Sequence, residues 1–431
     1  MKHQISSLAN GIRIVTYKMK ESQSVSASIF VRVGSRYEKF NVNSGVSHFL
    51  EHLLFKGTKK RPSAKIISEE IDAVGGYNNA YTTEDMTNFY IKVPKEYAGL
   101  ALDILADMVR NPLLDPKEID RERGVIIEEM NVYKDDPSRY VWSLIPPLIW
   151  PDDPLSRDTI GTKRVINSIS TKTIVDYKNY YYSPANLVVS VAGNITHREV
   201  VKNIKKLMGD IPKSHSIDFE PVHKEDQAKI TKAFKKDTNQ AHFIIASEAY
   251  RYDHADAPAT KVMTAILGAG MSSRLFINVR ERLGLAYTVY SNYHQFVDTG
   301  LFSVYAGVNL DKIDQALVAV LKELKKIQNI SVGETELQKG KRKLKGALQM
   351  ALESNDYIAD NIGTQLTLTN KIRGIREVLS KIDAVTANDV QRVAAKLLDS
   401  KSLRFAIIAP EPQKATKRFE GLISKREWQK I

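Results

Sequence analysis

Val46-Ser47-His48-Phe49-Leu50-Glu51-His52-Leu53-Leu54 carries an H-x-x-E-H segment inside an apolar-periodic stretch. Two histidines four residues apart project from one helix face, one turn apart, as two ligands of a single Zn²⁺ must. Glu51 lies between them on that face, where it can take a proton from a water polarised by the metal. At about 100° per residue, Val46, Phe49, Leu50, Leu53 and Leu54 form a separate stripe on the opposite side. One face can therefore pack into a core while the other carries chemistry. Gly57 is placed to stop the helix.

A catalytic zinc keeps three protein ligands and leaves one position to water, so a third is needed. Residues 115–137 supply candidates. Asp115-Pro116-Lys117-Glu118 is a helix start, with Asp as N-cap and Pro at the first helical position. The helix runs through Glu122-Arg123-Gly124-Val125-Ile126-Ile127-Glu128-Glu129-Met130 and should end before Pro137. Glu122 and Glu129 share a face two turns apart, and Glu128 points about 100° away from Glu129. Spacing alone leaves Glu128 and Glu129 both open as the third ligand. Without the upstream histidines, this acidic run would read as a solvated helix face.

At 431 residues the chain is too long for one core and suggests two domains of about 200 residues each. No run of about 18 apolar residues occurs, so no membrane span is expected. Met1-Lys2-His3-Gln4-Ile5 leads into a strand-like Ile12–Tyr17 without an apolar signal core or an Arg-rich transit segment, which makes a cytoplasmic location the expectation. The sequence has no cysteine, which excludes disulfides and thiolate metal sites; any metal must use His and carboxylate. The net charge of +13 reads as a Lys-rich surface rather than a nucleic-acid face, because the basic residues are dispersed. The one dense cluster, Lys339-Gly340-Lys341-Arg342-Lys343-Leu344-Lys345, falls on a predicted helix with no nucleic-acid motif around it.

The chain reads as a diverged tandem repeat. Val25, Ala27, Ile29, Val31 and Val33 alternate with Ser26, Ser28, Phe30 and Arg32 as a half-buried strand. Strand pairs are predicted at 79–93, around Glu84-Asp85, and at 286–308, around Asp298-Thr299-Gly300. Each half closes with a helix and a strand. Ser170 caps the helix before Leu187–Gly193, and Thr386 caps the helix before Leu403–Ala409. The expected division is 1–215, a polar linker over 216–230, and 231–431. Only the first half has metal-binding residues at metal spacing; His242, His254 and His294 are isolated.

Three stretches together resemble the pitrilysin-type, or inverzincin, zinc metallopeptidases, the superfamily of insulin-degrading enzyme and the mitochondrial processing peptidase. They are Gly45–Thr58, then Gly75-Gly76-Tyr77-Asn78-Asn79-Ala80-Tyr81-Thr82, and the Glu122–Met130 run. The resemblance covers nearly the whole chain. It implies an α+β fold of two homologous halves, each an antiparallel-rich sheet packed against helices on one side. It also implies one Zn²⁺ per chain on His48, His52 and Glu129, with Glu128 a neighbour. Glu122 would then be the supporting carboxylate that accepts a ligand histidine's other ring N–H.

Read by itself, Gly270-Met271-Ser272-Ser273-Arg274-Leu275 followed by Val279-Arg280-Glu281-Arg282-Leu283-Gly284-Leu285-Ala286-Tyr287 is a turn, a basic helix and a strand start. By resemblance, Arg280 and Tyr287 bind the substrate backbone and stabilise the tetrahedral intermediate, as hydrogen-bond donors to a developing oxyanion should. Asn79 and Ala80 match edge-strand positions that pair with an extended substrate. The expectation is a zinc endopeptidase cleaving extended or unfolded peptides in a chamber formed by two subunits. The second subunit would be a copy of this chain or a related protein. The alternative is a non-catalytic core or assembly subunit of the same fold, against which the intact Glu51 and Tyr287 argue. A nucleic-acid-binding role rests on charge alone.

Overall fold

Alternating apolar residues in both halves of the chain form two sheets in the computed structural model, which describes residues 3–223 and 229–430. The first sheet contains β1 (Gln4–Ser7), β2 (Arg13–Lys18), β3 (Ser24–Val31), β4 (Tyr77–Thr82), β5 (Thr87–Pro94) and β6 (Leu187–Gly193), in the order β1-β2-β6-β3-β5-β4. The second contains β7 (Thr231–Lys235), β8 (Gln240–Ala249), β9 (Ala286–Gln295), β10 (Gly300–Asn309) and β11 (Arg404–Ala409), in the order β7-β11-β8-β10-β9. In the first sheet β2 and β6 run parallel and the other neighbours antiparallel. In the second, β7 and β11 are the parallel pair. From β2 and from β7 onward the two sheets share one strand order and one set of directions, as a tandem repeat requires.

Four helices position the site: α1 (Val46–Leu54), α2 (Ala64–Asp72), α3 (Ala98–Arg110) and α4 (Pro116–Asp135). The predicted stripe of α1 is buried in one core with Val25, Ala27, Ile29 and Val31 of β3 and with Ala101, Leu102 and Leu105 of α3. Burial stabilises each large apolar side chain by roughly 1.5–3 kcal/mol, so α1 is held firmly by its back. Helix α4 begins at Pro116, and Asp115 Oδ1 accepts from Lys117 N at 2.8 Å; the helix ends at Asp135, ahead of Pro137. Ser170 and Thr386 act as the N-caps expected of them, accepting from Thr173 N and Asp389 N.

One expectation about layering is corrected. Both sheets carry helices on both faces, not one. In β3 the alternate residues Ser26, Ser28 and Phe30 are as buried as Val25 and Ile29. The helix Asn355–Thr369 covers that face, with Gly363 against the Phe30 ring and Ser190 Oγ of β6 donating to Ala359 O at 2.6 Å. In the second sheet Ile244, Ala246, Ala406 and Ile408 pack against Val141, Leu144, Ile145, Leu148 and Trp150. Each covering segment comes from the other half of the chain, so the periodicity of the strand it covers could not reveal it.

The chain accordingly divides into two compact units that exchange segments. One contains Met1–Met130, Arg157–Glu220 and Gln349–Gly374; the other contains Asn131–Ser156, Pro221–Leu348 and Ile375–Ile431. Contiguous domains at 1–215 and 231–431 would have left 131–156 in the first unit and 349–374 in the second. Within the expected linker 216–230, residues 224–228 lie outside the described residues. No helix among the described residues is long and apolar enough to cross a membrane.

Candidate metal centre

Helix α1 is held at both ends. Gly45 precedes it at φ +90°, where a Cβ would come within 2.6 Å of Ile160 O. The first-turn N–H groups of Gly45 and Ser47 donate to the buried Glu38 carboxylate at 2.6 and 2.8 Å. A carboxylate suits the positive end of a helix dipole, but burial dominates and pushes the Glu38 pKa up to about 8 against those hydrogen bonds. At the far end Gly57 adopts φ +138°, where a Cβ would meet Pro62 at 2.9 Å. The chain then turns into a polar network in which the Arg61 guanidinium reaches Glu70, Asp103 and Asp107.

On the solvent side of α1, His48 and His52 meet Glu129 of α4. Glu129 Oε2 lies 3.7 Å from His48 Nε2 and 3.5 Å from His52 Nε2. These three residues form a group whose candidate ligand atoms all lie within 4.8 Å of one another. Tetrahedral zinc with nitrogen and oxygen ligands at 2.0–2.2 Å sets ligand atoms about 3.3–3.5 Å apart, so the donor set fits a Zn²⁺ ion with little movement. An ion held by these three residues would keep a fourth position for water, as catalytic zinc sites do. Glu128, one residue away, is exposed and outside the group.

The carboxylates around the pair are differentiated. Glu122 is almost completely buried and accepts from His52 Nδ1 at 3.2 Å, while its other oxygen lies 2.6 Å from Lys56 Nζ. Burial opposes its ionisation, but His52 and Lys56 together hold its pKa below the ordinary glutamate value. His52 is likewise disfavoured as a cation by burial, yet Glu122 and Glu129 outweigh this and raise it to about 9. Burial, assisted by the neighbouring His52, pushes His48 the other way. His48 Nδ1 is sealed and has no hydrogen-bond partner among the described residues; the ring is set by its edge contact with His52, centroids 4.7 Å apart. Glu51 Oε2 accepts from Thr82 Oγ1 of β4 at 2.5 Å. Burial raises the Glu51 pKa and the Thr82 hydrogen bond partly offsets this, a useful setting for a general base.

The remaining sequence candidates sit as follows. Asn79 and Ala80 lie on β4, the edge strand of the first sheet, with Asn79 exposed and its Oδ1 accepting from Ala80 N at 2.8 Å. In the other unit, Arg280 lies on a π-helical turn (Phe276–Glu281) and Tyr287 at the start of the edge strand β9. Their side chains are neighbours, with the guanidinium carbon 5.6 Å from the Tyr287 ring, which is 72 % exposed. His242 is buried on Tyr305 OH, His254 stacks on Tyr250 and His294 packs on Phe296, so each has a structural setting. The basic cluster is likewise tied down locally. Lys339 donates to Ser272 O, Lys341 to Asp383 O, and Lys345 pairs with Asp383.

Sequence reasoning assigned no role to Glu38, Lys56 or Thr82. Lys56 continues the four-residue spacing of His48 and His52, a signal that was available. Glu38 reaches the helix only through a turn of the chain, and Thr82 only through strand packing.

An α+β repeat carrying two helical histidines, an intervening glutamate and a glutamate from a second helix defines a metallohydrolase-type centre. Comparison with known proteins agrees. A family described as Insulinase (Peptidase family M16) matches residues 13–163, and one described as Peptidase M16 inactive domain matches 168–344. A protein described as an uncharacterised zinc protease of Bacillus subtilis is 33 % identical over 404 residues, covering 93 % of this chain and 97 % of that one. A probable mitochondrial-processing peptidase subunit beta of Arabidopsis thaliana is 29 % identical over 418 residues, covering 94 % and 78 %. The crystal structure of a protease from Helicobacter pylori superposes with a TM-score of 0.86 at 24 % identity, covering 95 % of this chain and 99 % of that one. The chain belongs to peptidase family M16, the pitrilysin-type family.

Proposed function

We propose that the protein is a zinc endopeptidase that cleaves extended or unfolded peptides, with Glu51 as general base. The observation that carries this reading is the convergence of His48 Nε2 and His52 Nε2 on Glu129 Oε2, beside a Glu51 held by Thr82. The relatives named as zinc proteases support it. Zinc, when bound, would supply a Lewis acid that makes a water nucleophilic at neutral pH. Glu51 accepts the proton of the attacking water and returns it to the leaving amine. Glu122 fixes the His52 ring by accepting its Nδ1–H.

Substrate would pair as an added strand along β4 at Asn79 and Ala80. Backbone pairing of that kind gives affinity with little side-chain preference. Arg280 and Tyr287 would donate to the developing oxyanion, supplied by a second copy of the chain or a related subunit across an enclosed chamber. The test uses an unstructured peptide and a stable folded protein as parallel substrates. Chelation should abolish cleavage of the peptide, zinc should restore it, and the folded protein should stay intact. Peptide cleavage that survives complete removal of metal would sink the reading.

A further inference from the structure

Glu122 presents a problem that Lys56 solves. Its side chain is 2 % exposed, and a buried carboxylate is costly unless its charge is met. Its oxygens are divided: Oε2 faces His52 Nδ1 at 3.2 Å and Oε1 faces Lys56 Nζ at 2.6 Å. When Nε2 of His52 serves as a metal ligand the ring is neutral, so Nδ1–H offers Glu122 a hydrogen bond but no charge. Lys56 is then the only cation within ion-pair distance of Glu122 among the described residues.

The position of Lys56 is itself constrained. It lies just beyond the end of α1, its N–H donating to Leu53 O at 3.0 Å, and Gly57 and the buried Thr58 follow it. Thr58 Oγ1 donates to Asp107, and Arg61 N donates back to Thr58 Oγ1 at 2.9 Å. The lysine stem therefore starts from backbone fixed on both sides, and its ammonium reaches Glu122 from a rigid base.

We propose that Lys56 is a positioning residue of the metal centre: its ammonium holds the Glu122 carboxylate where that carboxylate can fix the His52 ring. The inference rests on the zinc reading above. Lys56 touches neither metal nor substrate and acts only through Glu122. Without it, the buried carboxylate keeps one neutral donor, and swinging towards solvent relieves it at the expense of the His52 contact.

The experiment measures the affinity of the purified full-length protein for Zn²⁺ by competition with a chromophoric chelator. Wild type, Lys56→Met, Lys56→Arg, Glu122→Gln and the double variant Lys56→Met/Glu122→Gln are compared. Loss of a carboxylate behind a metal-binding histidine typically weakens binding about 10–100-fold. Lys56→Met should weaken it by about tenfold, and Lys56→Arg should recover most of that loss. In the Glu122→Gln background, Lys56→Met should cost nothing further, because its target is gone. A purely structural role would give no such dependence on Glu122.

Unchanged affinity in Lys56→Met would overturn the proposal, as would an equal loss with and without the Glu122 carboxylate. The melting temperature of each metal-free variant is recorded alongside. If Lys56→Met does not fold, Lys56→Gln carries the comparison, since it keeps a donor and removes the charge. His48→Ala separates the two levels of the argument. If it leaves zinc affinity unchanged, the metal-centre reading falls, and Lys56 with it. If it abolishes zinc binding while the Lys56 variants behave as wild type, only the Lys56 inference falls.

Discussion

Glu128 and Glu129 differ by one position on α4 and by everything in their surroundings. Glu129 Oε2 sits 3.5 and 3.7 Å from the two histidine Nε2 atoms, whereas Glu128 is exposed. Glu129→Gln should therefore cut zinc affinity severely and Glu128→Gln should leave it nearly unchanged. Glu122→Gln should fall between them, about 10–100-fold down; chelator competition measures all three, and the reverse order for 128 and 129 would contradict the geometry. His52 gives a second prediction. In the metal-free protein its proton is held to about pH 9, because Glu122 and Glu129 outweigh burial. Its folded-state pKa is raised, so the stability it contributes is fully present below about pH 6.5 and lost as pH rises through about 9. A ligand histidine must be deprotonated, so zinc binding at pH 7 should release about one proton from His52. The apparent affinity should rise about tenfold per pH unit until pH nears 9. Calorimetry in buffers of different ionisation heat reads the proton count, and none released at pH 7 would refute the assignment. Spacing made the histidine pair and Glu51 legible, because one helix carries all three. It left Glu128 and Glu129 open, because local periodicity does not state from which side a second helix approaches; family resemblance pointed to Glu129.

The elements were legible where a pattern is local. The stripe of α1, the Pro116 start of α4 and the caps at Ser170 and Thr386 all follow from neighbouring residues, and they form as expected. The opposite face of β3 was not legible. Ser26, Ser28 and Phe30 look like a solvent face, yet the helix Asn355–Thr369 buries them from more than three hundred residues away. Gly363 marks that contact. A glycine inside a helix costs about 1 kcal/mol relative to alanine, but a Cβ there would lie 2.1 Å from Phe30 Cε2. Gly363→Ala should therefore destabilise the protein, by about 1–3 kcal/mol as overpacked cores do, despite alanine's higher helix propensity. Denaturant unfolding measures it; a stabilised variant would show that the helix does not pack as described.

At the scale of the whole molecule, the one group among the described residues that could hold a metal lies in the first unit, and the exposed Arg280/Tyr287 pair lies in the second. If each pair serves the metal centre of another copy, two different lesions complement. Glu51→Gln and Tyr287→Phe should each be severely impaired alone, the latter by about 10²–10³ in kcat. Co-expressed in equal amounts they should recover roughly a quarter of wild-type activity, since about half the dimers are mixed and each mixed dimer has one intact site. No recovery, with mixed dimers verified by differential tags, would rule out a shared site. The central claim, that this metal centre hydrolyses peptides with Glu51 as its base, is tested most directly by one paired measurement on Glu51→Gln: bound zinc by elemental analysis and cleavage of an unstructured peptide. The account predicts zinc content equal to wild type and activity reduced to background, since the base is neutralised while His48, His52 and Glu129 remain. Cleavage at the wild-type rate by the zinc-loaded variant would contradict it.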